Sequence, residues 1–150
     1  MRTGQRRGKP AQSSRVADLR AAVTDTHSLL FHAAGGRSLG PKAAAHFHKA
    51  EEGAALIYVP MVVLLEVTFL FRAGRGGLRV PPVLFFSTLF TNPCYQPMDL
   101  TTEQVFLADE LRINRDPYDA LIVAAAQVLG LPLMTRDTDI VASKAVKVLW

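Results

Sequence analysis

Apolar residues along this chain fall in short runs that alternate between strand-like and helix-like character. Ala21 to Thr24 is a brief apolar run ending at Asp25, which predicts a first strand. His27 to Ala34 predicts a helix closed by Gly35-Gly36, and Pro41 to Glu52 a second helix stopped by Gly53. Ala55 to Val59 is β-rich and apolar, a second strand ended by Pro60. Met61 to Ala73 and the run opened by Pro81-Pro82 predict two apolar helices, the latter ending near Thr91-Asn92-Pro93. Cys94 to Met98 predicts a weak third strand, and a helix follows from Thr101 to about Arg112. Asp116-Pro117-Tyr118-Asp119 precedes a long apolar helix, Ala120 to Leu129, capped by Gly130. Leu131 to Thr135, Asp139 to Ala145 and Val146 to Trp150 complete the pattern as strand, helix and strand. Such alternation implies an α/β fold, a three-layer sandwich with a central parallel sheet of about five strands.

Length and charge sharpen this picture. With 150 residues, 49% hydrophobic and 20% charged, the chain suits one folded domain and excludes a disordered or fibrous class. The charge is unevenly divided. Residues 1–20 carry six bases and one acid, whereas residues 21–150 carry eleven bases and twelve acids. A basic, flexible extension over 1–20 and a domain over 21–150 are therefore expected, the extension being either a solvated tail or an arm that attracts nucleic acid. A single cysteine, Cys94, precludes an intrachain disulfide or a cysteine-cluster zinc site and fits a cytoplasmic location. Arg6-Arg7 is followed by no apolar segment of a signal peptide, and the apolar run Leu56 to Phe71 is shorter than a bilayer span and broken by Pro60 and Glu66. No membrane partner is expected.

The chemistry lies in the acids. Asp25 follows the first strand directly, and Asp137 follows the fourth by two residues, in Thr135-Arg136-Asp137. In a parallel sheet with right-handed crossovers both belong on the edge formed by the strands' carboxyl ends, where ligands bind. Glu66 interrupts an otherwise apolar helix, and a lone carboxylate is costly to bury without a partner. Helix capping alone accounts for Asp25, Asp116, Asp119 and Asp137 taken singly, with Asp116 as N-cap and Asp119 as the third residue of a capping-box-like arrangement. It does not account for Glu66, nor for so many acids on one rim. Converging carboxylates either protonate or hold a hard divalent cation, and such a cluster suits metal-dependent phosphodiester hydrolysis.

These residues resemble the PIN domain family, and within it the VapC-like toxin ribonucleases of type II toxin–antitoxin systems. The resemblance is carried by Val23-Thr24-Asp25-Thr26-His27-Ser28-Leu29-Leu30, Leu65-Glu66-Val67, Arg115-Asp116-Pro117-Tyr118-Asp119 with the helix after it, Leu131-Pro132-Leu133-Met134-Thr135-Arg136-Asp137, and the closing Val148-Leu149-Trp150. It covers residues 21–150 in the family's order. It implies a sheet in flavodoxin-like order and a metal-dependent endoribonuclease using Mg²⁺ or Mn²⁺, with RNA as substrate. Asp25, Glu66, Asp119 and Asp137 take the roles of catalytic and metal-binding acids. Asp116, Thr135 and Asp139 are accessory candidates, Thr135 as a hydrogen-bond partner of a carboxylate or a bound water. Arg115, Arg136, Arg6 and Arg7 are candidate nucleic-acid contacts, although Arg115 and Arg136 serve equally well as partners of neighbouring carboxylates. The resemblance also implies a cognate antitoxin whose terminal segment lies over a groove lined by Met61 to Phe71 and Pro82 to Phe90.

Two features depart from the family pattern. The segment before Asp25 is long, and Ala120 stands where an Arg is common. The four histidines form no metal pattern with the acids. Phe69, Phe71, Phe85, Phe86 and Phe90 read as core or dimer interface, which leaves a homodimer open. A catalytically silent PIN-like module that binds RNA or protein is the competing reading, and the presence of all four acids weighs against it. A receiver-like phosphoacceptor would need a pair of acids after the first strand, but Thr24 precedes Asp25.

Overall fold

The computed structural model describes residues 20–150. Four parallel strands form the central sheet: β1 (Arg20–Thr24), β2 (Ala55–Pro60), β3 (Tyr95–Met98) and β4 (Leu133–Met134). The helices are α1 (Thr26–Ala33), α2 (Pro41–Glu51), α3 (Met61–Arg72), α4 (Pro82–Leu89), α5 (Thr102–Leu111), α6 (Pro117–Leu129) and α7 (Thr138–Ser143). β2 is buried along nearly its whole length. Since successive side chains of a strand point to opposite faces, both faces of the sheet must be covered, as parallel sheets require. Helix α2 packs on β2; α6 packs on β1 and on α3 and α5. The core between them is built from Val23, Leu29, Phe47, Ile57, Val63, Ile122 and Leu133, all essentially inaccessible to solvent.

The strand order is β3-β2-β1-β4. As in the flavodoxin order 2-1-3-4-5, the reversal of direction falls beside β1, but β3 lies on the β2 side of the sheet rather than between β1 and β4. The expected fifth strand is reduced to one parallel bridge, Leu133 with Val148. Two backbone bonds make it: Leu133 N–H donates to the Lys147 carbonyl at 2.8 Å, and Leu149 N–H to the Leu133 carbonyl at 2.9 Å. β4 is itself only two residues long, and the preceding Pro132 has no N–H with which to extend the ladder.

The last residue closes the other side of this edge. Trp150 packs directly on Gly40, the residue that caps the start of α2, and a Cβ built on Gly40 would stand 2.5 Å from the Trp150 ring and 2.6 Å from its backbone. Gly40 has an ordinary φ of −67°, so space rather than conformational freedom demands glycine here. Gly40→Ala should therefore lose about 1–3 kcal/mol through overpacking. That corresponds to a drop in Tm of roughly 3–10 °C, and pairing it with Trp150→Ala should recover part of the loss. A Gly40→Ala protein that melts like wild type would show that the Trp150 contact is not formed.

Candidate active site

Four of the acids sit where a strand or loop turns into a helix. Asp25 caps α1: its Oδ1 accepts from the Ser28 N–H at 2.8 Å. Asp116 caps α6, accepting from Tyr118 N–H at 2.9 Å, and Asp137 caps α7, accepting from Ile140 N–H at 2.9 Å. The capping reading is thus correct for these three, and it does not compete with a role in the site. Each cap bond uses Oδ1 and restricts the carboxylate's orientation. Asp119 behaves differently from a capping-box residue. Its Oδ2 accepts from Asn114 Nδ2 at 2.8 Å, while the Asp116 N–H donates to Asn114 Oδ1 at 2.9 Å. Asn114 thus takes the bond that Asp119 would have made, and it also reaches Asp139 Oδ2 at 3.3 Å.

The carboxylates act on one another. Glu66, half-buried on α3, has its pKa raised first by burial, then by the charges of Asp116 and Asp25. Burial also raises Asp119, to about 6, and the charges of Asp116, Asp137 and Glu66 add to this. Asp25 is almost wholly buried, and loss of hydration pushes its pKa up against the opposing effect of the Ser28 and Thr135 hydrogen-bonding groups. The fold therefore brings Asp25, Glu66, Asp116, Asp119 and Asp137 within electrostatic reach of one another on a single rim. Asp139 is more exposed and joins them only through Asn114.

Several neighbours serve this rim. Thr135 is fully buried, its hydroxyl accepting from Asp137 N–H at 3.1 Å while favouring the charged form of Asp25. Ser28 Oγ donates to the Met134 carbonyl at 2.9 Å, and Asp25 N–H donates to the same carbonyl at 3.1 Å, which ties the start of α1 to the end of β4. His27 is exposed and close enough to favour negative charge on both Asp25 and Glu66. The buried Thr26 hydroxyl lies beside the Glu66 carboxylate and favours its charged form. Thr26, Ser28 and Asn114 were not singled out from the sequence. An asparagine two residues before a capping Asp is the one local signal that could have marked Asn114, because its side chain can accept a backbone N–H two residues on.

Neither Arg115 nor Arg136 pairs with a neighbouring carboxylate among the described residues. The Arg136 guanidinium lies 4.7 Å from the centre of the Phe31 ring, a cation–π contact, and forms no ion pair with a described residue. Arg115 is exposed and likewise forms no ion pair among the described residues. Arg6 and Arg7 lie outside the described residues.

Among the described residues, no three acidic, histidine or cysteine side chains are drawn close enough to grip one ion as they stand. The donor chemistry nevertheless fits a hard divalent cation. It consists of carboxylate oxygens whose burial and mutual repulsion a cation would relieve, with a buried hydroxyl, Thr26 Oγ1, beside Glu66.

The PIN domain family model matches residues 22–146. The chain belongs to the PIN domain family. Solved structures agree with this in fold. The chain is similar to a toxin–antitoxin complex from Klebsiella pneumoniae, with 19% identity over 86% of this chain and 96% of that one and a TM-score of 0.56. It is also similar to VapBC2 from Rickettsia felis, at 13% identity over 85% and 96% with a TM-score of 0.60, and to DNA-bound VapBC from Salmonella typhimurium, at 14% over 87% and 96% with a TM-score of 0.60. No curated protein matches the sequence. No described helix is long and apolar enough to cross a membrane.

Glu66 lies in the interior of α3 and caps no helix, so its replacement isolates the electrostatic contribution. Glu66→Gln should leave α3 intact and raise Tm at neutral pH in the absence of divalent ions, because it removes a charge that burial and two neighbouring carboxylates oppose. Thermal melts in EDTA measure this. A lowered Tm would mean that Glu66 is stabilised by its surroundings rather than strained by them.

Proposed function

We propose that this PIN domain is a divalent-metal-dependent endoribonuclease and the toxin of a toxin–antitoxin pair. The observation that carries this reading is the electrostatic convergence of Asp25, Glu66, Asp116, Asp119 and Asp137, delivered from the starts of three helices and the middle of a fourth. Asp25, Glu66, Asp119 and Asp137 would hold Mg²⁺ or Mn²⁺, with Asp116 and Asp139 as outer partners. When bound, such an ion activates water for in-line attack on a phosphodiester and stabilises the leaving oxygen. The protein's own part is orientation. Backbone N–H groups hold Asp25, Asp116 and Asp137 by one oxygen each, and Asn114 holds Asp119, so the carboxylates have little rotamer freedom to lose.

A partner surface supports the toxin reading. Between α3 and α4 runs an apolar cleft of about 510 Å³, lined by Leu64, Pro82, Val83, Phe86 and Phe90, with Val83 77% exposed. This is the groove in which an antitoxin's terminal segment would bury apolar side chains on folding. The chain should cleave total RNA with Mg²⁺ or Mn²⁺ and lose that activity in EDTA. Its expression alone should slow growth, and co-expression of the neighbouring gene should restore it. Cleavage that persists in EDTA would overturn the metal assignment. Harmless expression with no complex formed would overturn the toxin role.

A further inference from the structure

A second charged feature lies at the opposite pole of the sheet. A groove of about 810 Å³ opens at the amino ends of the strands, and its lining includes Arg20, Lys42, Lys49 and Lys147. Lys42 and Lys49 are seven residues apart on α2, which puts them on one face about 10 Å apart along the axis. Across the groove, Arg20 begins β1, and Lys147 belongs to the bridging segment on the far side of β4. Two strand spacings separate them laterally, again about 10 Å. Four exposed bases thus frame a strip whose floor is small and apolar, with Ala45 and Leu149 among its residues. None of the four forms an ion pair with a described residue, and the one acid in the lining, Glu52, is engaged by His48 at 3.3 Å.

We propose that this basic groove binds the phosphate backbone of single-stranded RNA, at the pole of the sheet opposite the acid rim. That the polyanion is RNA rests on the nuclease reading above; that it is a polyanion rests on the groove alone. The acid rim repels phosphates, so a substrate needs cationic anchorage elsewhere on the molecule. The groove is concave and has charge on both walls, which suits a strand lying along it better than a flat lipid surface. The chain's own amino-terminal segment is excluded as occupant by sign: residues 1–19 hold five bases and one acid.

The test is binding of a fluorescein-labelled single-stranded RNA of about 20 nucleotides to the full chain, followed by anisotropy across a salt series in EDTA. Cleavage plays no part in this measurement, so failure of the nuclease reading and failure of the groove are separable. Each phosphate contact contributes about 0.7 to the slope of log K against log salt for a single strand. The Lys42→Ala/Lys49→Ala protein should therefore bind more weakly, with a slope shallower by about 1.4, and adding Lys147→Ala should remove about 0.7 more. Arg72→Ala, which removes a base at the end of α3, should leave the slope unchanged. Circular dichroism melts matching wild type would show that the variants are folded. An unchanged affinity and slope in the triple variant overturns the groove. Tighter binding of duplex DNA than of RNA through the same lysines, or equal competition by polyglutamate, overturns RNA as its ligand.

Discussion

Asp25→Asn should abolish RNA cleavage while leaving the fold intact. Asparagine keeps the shape of the side chain and caps a helix as well as aspartate does, so the bond from Ser28 N–H to the side-chain oxygen is retained. What is lost is the negative charge at the most deeply buried carboxylate of the rim. Even the outer partners of a metal site typically contribute 10–100-fold in affinity or activity, so loss of the direct anionic ligand proposed here should cost at least about 100-fold. Stability should move the other way. Burial raises the pKa of Asp25, so at neutral pH the folded protein carries a charge it would rather not have, and the neutral amide removes that penalty. Asp25→Ala separates the two roles, because it removes charge and cap together and should lower stability by about 1 kcal/mol. Cleavage rates with saturating Mg²⁺ or Mn²⁺, set beside melting temperatures in EDTA, read both effects. A folded Asp25→Asn protein with wild-type cleavage would remove Asp25 from the site.

The position of Asp25 shows why the rim was legible from sequence. A parallel sheet puts the end of every strand on one edge, and an acid that directly follows a strand lands there whatever the details of packing. Asp25 and Asp137 needed only that rule. Glu66 was visible because an apolar helix gives a carboxylate nowhere else to be explained. The parts that escaped are those whose partners are distant in the chain. Asn114 reaches Asp139 across 25 residues, and Arg136 settles on Phe31 rather than pairing with a neighbouring acid. No local pattern encodes either choice. The fifth strand shrank to a bridge for a related reason: its apolar run was real, but a ladder needs a partner strand of matching length, and β4 supplies two residues.

The largest thermodynamic signature of the site should be a pH-dependent stability whose sign divalent ions reverse. Asp119 has an ordinary pKa of 3.8 in the unfolded chain and about 6 in the folded one, where burial and three neighbouring carboxylates oppose its charge. The folded state therefore binds its proton more tightly than the unfolded state. By linkage, stability is greatest when both states are protonated and is lost as pH rises from about 4 through 6. The raised values of Asp25 and Glu66 act in the same direction. Glu51 acts oppositely: the Tyr95 hydroxyl, donating at 2.6 Å, lowers its pKa, so its contribution is present at neutral pH and lost in acid. The window from about pH 5 to 7.5 thus lies above the range in which the Glu51 contribution is lost. In EDTA, Tm should fall across that window. With Mn²⁺ or Mg²⁺ the same window should show the reverse, because the ion binds only deprotonated carboxylates gathered by folding. At 100 times its dissociation constant such an ion adds about 2.7 kcal/mol. Asp119→Asn should flatten the first slope and weaken the second, and the difference between the two proteins assigns the effect to this one carboxyl. An ion-induced shift of equal size at pH 5 and pH 7.5, or one undiminished in Asp119→Asn, would place the cation somewhere other than on this cluster.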